Sequence, residues 1–246
     1  MKEKFFYKKI KEENISCVFT EPDRKSKNIV IMAHGFRSSS IGSSRKFVTL
    51  SRKLAEKGIS SLRFDQPGSG NSSGDFYDSS FNDWIKTIQS FTKEYIGKQF
   101  RVALMGESMG ATAVIDSLED LQIRKNIYGI ALWVPDPKID RHEINGKYME
   151  EGGQRVNKNY WVEASSHNFM KNLVSYDGDR LIIYGEKDEH ISASSRKKVI
   201  IAAKRPRSKV IILKGENHSN WSYPQMKKAI DNTADFFVNA LTERRL

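Results

Sequence analysis

Cysteine is almost absent from this chain. A single residue, Cys17, excludes an internal disulfide and fits a reducing compartment, so a cytoplasmic location is the expectation. Long hydrophobic runs are missing too. No apolar stretch approaches ~18 residues, so no membrane span is expected. The opening residues, Met1-Lys2-Glu3-Lys4-Phe5-Phe6-Tyr7-Lys8-Lys9, carry charge but no apolar core segment, and do not read as a signal peptide. Internal repeats and low-complexity tracts are also lacking. Acidic residues are outnumbered, with 30 Asp and Glu against 41 Lys and Arg, a net charge of +11. The densest basic stretch runs from Arg196-Lys197-Lys198 to Lys204-Arg205-Pro206-Arg207-Ser208-Lys209, flanking one expected helix. No nucleic-acid motif accompanies it, so it reads as a solvated surface and no nucleic-acid partner is expected. A field of this sign steers anionic substrates, such as carboxylates or coenzyme A thioesters, toward a protein.

What the chain does have is an alternation of apolar and amphipathic segments. Its 246 residues, 38% hydrophobic and 29% charged, suit one soluble α/β domain with an insertion. Strands are expected near residues 15–19, 28–33, 59–64, 102–105, 127–134, 181–184 and 210–213. Helices are expected over 45–56, 81–95, 111–118, 193–203 and 223–241. This βα rhythm predicts a largely parallel sheet flanked by helices. The rhythm breaks at 136–179, a stretch that is aromatic and charged and shows no clear buried strand. Structureless connections of that length are uncommon in compact domains and often serve as lids. The chain therefore divides into a core of 1–135 and 180–246 and an inserted lid of 136–179, expected to carry short helices.

The most informative residues are Gly106-Glu107-Ser108-Met109-Gly110. They follow the apolar run Val102-Ala103-Leu104-Met105 and precede the helical run from Ala111. Strand, G-x-S-x-G and helix in succession form the nucleophile elbow, a turn so tight that the serine is held strained with its hydroxyl exposed. A serine hydroxyl is a poor nucleophile at neutral pH and needs a base, which in turn needs an orienting acid. Five histidines compete for the role of base: His34, His142, His167, His190 and His218. His218 follows the last expected strand, in Gly215-Glu216-Asn217-His218-Ser219-Asn220-Trp221, and α/β sheets place their sites at the carboxyl ends of strands. The acid is expected in Gly185-Glu186-Lys187-Asp188-Glu189-His190. There Asp188 is favoured because a short acid three residues past a glycine turn can point back to the histidine, with Glu186 and Glu189 solvated. The order Ser, Asp, His matches the chain order of such triads. Acyl transfer also needs two oxyanion donors, expected from the backbone N–H of Met109 and of Phe36 in the loop His34-Gly35-Phe36-Arg37. His34 itself is expected to brace that loop.

His34-Gly35-Phe36, Asp65 with Gly68 and Gly70, the elbow, Gly185-x-x-Asp188 and His218 together give the chain a resemblance to the α/β-hydrolases from about Ile15 to Leu241. Within that superfamily it is similar to small bacterial esterases of the cinnamoyl or feruloyl type, and departs from their pattern at Gln66-Pro67. The resemblance implies a serine hydrolase that uses no metal and no organic cofactor. The leading expectation is hydrolysis of a small-molecule carboxylic ester through a Ser108 acyl-enzyme. A thioesterase or acyltransferase with the same triad is the alternative, and a non-catalytic scaffold has no need of Ser108, Asp188 and His218 together. Trp133, Tyr148, Trp161 and Phe169 are candidates to line an acyl or aryl pocket beneath the insertion. A homodimer is compatible with the sequence.

Overall fold

Four strands of this chain are nearly continuous apolar runs, and such runs need a layer on each face. The computed structural model, which describes residues 1–137 and 146–242, supplies both layers. The elements run β1 (Lys2–Ile10), β2 (Glu13–Glu21), β3 (Asn28–Ala33), α1 (Lys46–Glu56), β4 (Ser60–Phe64), α2 (Phe81–Gly97), β5 (Arg101–Glu107), α3 (Met109–Ser117), α4 (Leu121–Asn126) and β6 (Ile127–Trp133). After the undescribed residues come β7 (Tyr148–Glu151), β8 (Gln154–Asn157), α5 (Lys158–Ser166), α6 (Phe169–Ser175), β9 (Asp179–Gly185), α7 (Ala193–Ala203), β10 (Ser208–Leu213) and α8 (Tyr223–Thr242).

Eight strands form one sheet in the order β1-β2-β4-β3-β5-β6-β9-β10. β1 and β2 are antiparallel, β2 meets β4 antiparallel, and every later pairing is parallel. Helices α1 and α8 pack together on one face; α2, α3, α6 and α7 cover the other. The α2 face is typical of how sequence makes this layer: Trp84, Ile85, Ile88, Phe91 and Tyr95 recur at helical spacing and are all buried. Ser80 starts that helix by accepting a hydrogen bond from the Asp83 N–H. The expected α/β-hydrolase architecture, a mostly parallel sheet flanked by helices, is the one found.

The sequence reading missed β1. Its residues are charged and mostly exposed, so no apolar run marks it, yet all nine pair with β2 from Lys2–Glu21 to Ile10–Glu13. It also missed the β7–β8 hairpin, whose turn is Gly152-Gly153, both at positive φ. Residues 146–175 thus hold a hairpin and two helices, where helices alone were expected.

The order reverses beside β3: the chain goes from β3 to β4 on one side and later to β5 on the other. The carboxyl ends of β3 and β5, in register at Ala33 and Gly106, flank this switch point, the usual place for a site in an open α/β sheet.

Helix α6 docks on α3 through a buried polar contact. Asn172 Nδ2 donates to Asp116 Oδ1 at 2.9 Å and to Glu119 Oε1 at 3.0 Å, and Asp116 Oδ2 has no hydrogen-bond partner among the described residues. Burial pushes the Asp116 carboxyl up to about 7; the Asn172 hydrogen bond opposes the rise and the nearby Glu119 adds to it. The folded chain therefore holds this proton more tightly than the unfolded chain does. Stability declines as pH rises from the ordinary aspartate range to about 7, and the loss is complete above that. Asp116→Asn is expected to raise the melting temperature at pH 8 and to change it little at pH 4, as thermal unfolding followed by circular dichroism would show.

Candidate active site

Ser108 sits between β5 and α3 at φ 50° and ψ −123°. This is left-handed backbone that non-glycine residues adopt at a cost of ~1–3 kcal/mol, so the surroundings must enforce it. The glycines on either side show how. A Cβ on Gly106 would lie 2.5 Å from the Gly110 carbonyl oxygen and 2.6 Å from Ala111 Cα; one on Gly110 would lie 2.3 Å from the His34 carbonyl oxygen. Strand, helix and the loop after β3 thus pass one another at backbone contact. The Ser108 N–H donates to the Trp133 carbonyl at 2.8 Å, tying the turn to β6.

The Ser108 hydroxyl lies 2.9 Å from His218 Nε2, and His218 Nδ1 lies 2.9 Å from Asp188 Oδ2. The acceptor-only carboxylate fixes the ring: Nδ1–H donates to Asp188, which leaves Nε2 to accept from the serine hydroxyl. The Asp188 side chain is fully buried, and its Oδ1 accepts from the N–H groups of His190 and Ile191 at 3.0 and 2.9 Å. Burial pushes this carboxyl up. The hydrogen bonds from His218, Ile191 and His190 outweigh burial and hold it below the usual aspartate value. Asp188 therefore stays ionised beside the imidazole.

Backbone contacts lock the loops that carry Asp188 and His218. A Cβ on Gly185 would lie 2.0 Å from the Asn217 carbonyl oxygen, and the Lys187 N–H donates to the Glu216 carbonyl at 2.8 Å. Arg196 caps the acid loop from α7, donating to the carbonyls of Asp188, Ile191 and Glu186. The rival carboxylates lie elsewhere: Glu189 is exposed, and the exposed Glu186 accepts from the Gly215 N–H. Of the other histidines, His34 is buried, donates to the Gly35 carbonyl and accepts from the Gln66 N–H. Burial lowers its proton affinity, so it serves as a neutral brace. His167 bonds Asn82, His190 packs edge-on against the His218 ring at 4.9 Å, and His142 lies outside the described residues.

Phe36 and Met109 both border the cleft at Ser108, and neither backbone N–H has an acceptor among the described residues. Asp65 anchors the turn behind them, accepting from the Ser40 N–H at 2.6 Å and the Asn71 N–H at 2.9 Å. The cleft has a volume of about 830 Å³. Phe36, Met109 and Trp161 give it an apolar side, while Ser43, Ser192, Ser195 and Lys198 give it a polar one. Among the described residues, no cluster of His, Cys, Asp or Glu has a metal-binding arrangement.

Of the four expected pocket residues, Trp161 alone borders this cleft. Trp133 does not: it is fully buried, its indole N–H donates to Thr233 of α8 at 3.0 Å, and its ring packs on Phe47 and Trp221. Alternation along β6 sends it to the α1–α8 face. Tyr148 stands on the hairpin against Tyr77 and Arg155, bordering a separate groove. Phe169 is buried beside Thr112 and Asp116, at a small cavity of about 160 Å³. Sequence reasoning passed over Lys46 and Glu107, which border the cleft as a buried ion pair. The one available signal was a glutamate closing an otherwise apolar strand.

Residues 24–170, more than half of the chain, match the family model described as serine aminopeptidase, S33. None of the curated proteins compared with the chain matches it significantly. Among solved structures, Est1E from Butyrivibrio proteoclasticus, with ferulic acid bound, superposes at a TM-score of 0.85 and 20% identity, covering 97% of this chain and 100% of its own. The α/β-hydrolase GrgF from Penicillium sp. sh18 gives 0.82 at 13% identity, covering 99% and 100%. A monoacylglycerol lipase from Paleococcus ferrophilus gives 0.73 at 18% identity, covering 93% and 99%. The chain shares its fold with these hydrolases over nearly its whole length, and it belongs to the serine aminopeptidase S33 family of α/β-hydrolases.

Proposed function

We propose that this protein is a carboxylic ester hydrolase that works through an acyl-enzyme on Ser108. The observation that carries the reading is the unbroken chain from the Ser108 hydroxyl through His218 to the buried Asp188, each link 2.9 Å long. In this reading His218 Nε2 takes the hydroxyl proton as Ser108 Oγ attacks the ester carbonyl. Asp188 stabilises the imidazolium that results. The Phe36 and Met109 N–H groups hold the oxyanion of the tetrahedral intermediate. His218 then returns its proton to the departing alkoxide, and the alcohol leaves. Water attacks the acyl-enzyme with His218 again as base, releasing the acid and restoring the serine.

The cleft supports an ester with an apolar or aromatic acyl group, because Phe36 and Trp161 meet at 5.0 Å and Met109 stands beside them. The inserted segment acts in this reading as a partial roof, with Trp161 of α5 as its contribution to substrate binding. A roof of this kind shields the acyl-enzyme from water until the alcohol has left.

Ser108→Ala is expected to lower kcat for p-nitrophenyl esters by about 10⁴-fold or more with the melting temperature unchanged, and Asp188→Asn by up to about 10⁴-fold. Activity of Ser108→Ala within tenfold of wild type would remove the serine from the mechanism. Trp161→Ala is expected to change the ranking of acetyl, octanoyl and cinnamoyl esters in kcat/KM. Trp133→Ala, in contrast, is expected to lower thermal stability and leave that ranking intact.

A further inference from the structure

Lysine and glutamate are rarely buried, and when they are they pair. Lys46 and Glu107 are 1% and 3% exposed, and the Lys46 ammonium donates to Glu107 Oε1. Glu107 is the residue immediately before the nucleophile. The same ammonium also donates to the carbonyl of Ser219, the residue immediately after the base, at 3.2 Å. It lies 5.9 Å from the centre of the Trp221 ring, on the same loop. One charged group thus touches the segment that carries the nucleophile and the segment that carries the base.

The placement of Lys46 has its own cost. It opens α1 after a stretch in which Gly42, Ser44 and Arg45 all have positive φ. A Cβ on Gly42 would lie 2.9 Å from Lys46 Cγ, so the backbone closes over the lysine stem. A buried ion pair is weak evidence for stability, because desolvation offsets most of its attraction and apolar residues of similar size often do as well. Stability alone therefore does not account for this arrangement. What an apolar pair cannot do is donate to the Ser219 carbonyl.

We propose that Lys46 is a positioning residue, whose bridge from the Glu107 carboxylate to the Ser219 carbonyl holds the His218 loop at the distance from Ser108 that catalysis needs. The inference rests on the reading of Ser108 and His218 as nucleophile and base. Its consequence is a defect in the chemical step. Without the bridge, the loop of residues 215–221 shifts relative to the elbow, and a displacement of about 1 Å in a reacting group is enough for a loss near 10²-fold.

The test uses Lys46→Met/Glu107→Met, which removes both charges and keeps volume and net charge. Lys46→Met/Glu107→Gln, which also removes both charges and leaves no donor at position 46, serves in its place if the first variant does not fold. Three quantities are read per folded molecule: kcat and KM for p-nitrophenyl acetate, the rate of inactivation by a fluorophosphonate, and the downfield proton resonance of His218 Nδ1–H, assigned by its loss in His218→Ala. The expected result is a fall in kcat and in inactivation rate of about 10- to 100-fold. KM should stay within about twofold, and the proton resonance should broaden or vanish. Wild-type values of kcat and of the resonance in a folded double variant would overturn the proposal, even with a lowered melting temperature. A wild-type protein that the fluorophosphonate does not label at Ser108 would instead overturn the reading on which the proposal rests.

Discussion

The backbone at Ser108 is the constraint on which the rest of the site depends. A serine at φ 50° and ψ −123° is unfavourable in isolation, and the turn exists because three segments press on it at once. Gly106 admits α3 to the end of β5, Gly110 admits the loop after β3, and the Trp133 carbonyl takes the serine N–H. The result is a hydroxyl that faces the cleft, with a Met109 N–H beside it that has no acceptor among the described residues. The strain is local, and the parallel strands β3, β5 and β6, all buried on both faces, provide the rigid frame that sustains it.

The partners of the serine arrive from the far half of the chain by a different device. Asp188 and His218 stand on adjacent loops beyond β9 and β10, and Gly185 lets those loops meet backbone to backbone. Arg196 fastens the Asp188 loop from α7, while the hydrogen bond from His218 and the N–H groups of Ile191 and His190 keep the carboxylate ionised in a buried setting. The family match over residues 24–170 stops short of both residues, so their placement rests on this geometry and on chain order. Lys46 adds a link between the two halves, since α1 lies early in the chain and Ser219 late.

Sequence made the line from Ser108 through His218 to Asp188 legible because its requirements are short-range. A glycine two residues before and after the serine, or three before an aspartate, is a statement about local backbone that a reader of residues can make. The parallel strands were legible because burial on both faces leaves an apolar run. β1 was not, because an exposed edge strand needs only backbone pairing with its neighbour, and lysines on an edge discourage further pairing. Pocket residues are not legible from sequence for a related reason. Trp133, Tyr148 and Phe169 stand out in the sequence for aromatic character near the right strand, but which face a ring takes depends on register and on neighbours such as Thr233, Tyr77 and Asp116 that are distant in sequence. Lys46 and Glu107 escaped notice because a charged pair becomes conspicuous only when both members are seen to be buried.

The central claim is that Ser108 carries the acyl group during turnover. The most direct measurement is rapid acid quenching of the protein during steady-state hydrolysis of a p-nitrophenyl ester, followed by intact mass and peptide mapping. The account predicts one acyl group per chain, located on the peptide containing Ser108, and its absence in His218→Ala. An acyl group mapped to another residue, or steady turnover with water attacking the ester directly and no adduct on Ser108 even in the pre-steady-state burst, would contradict it.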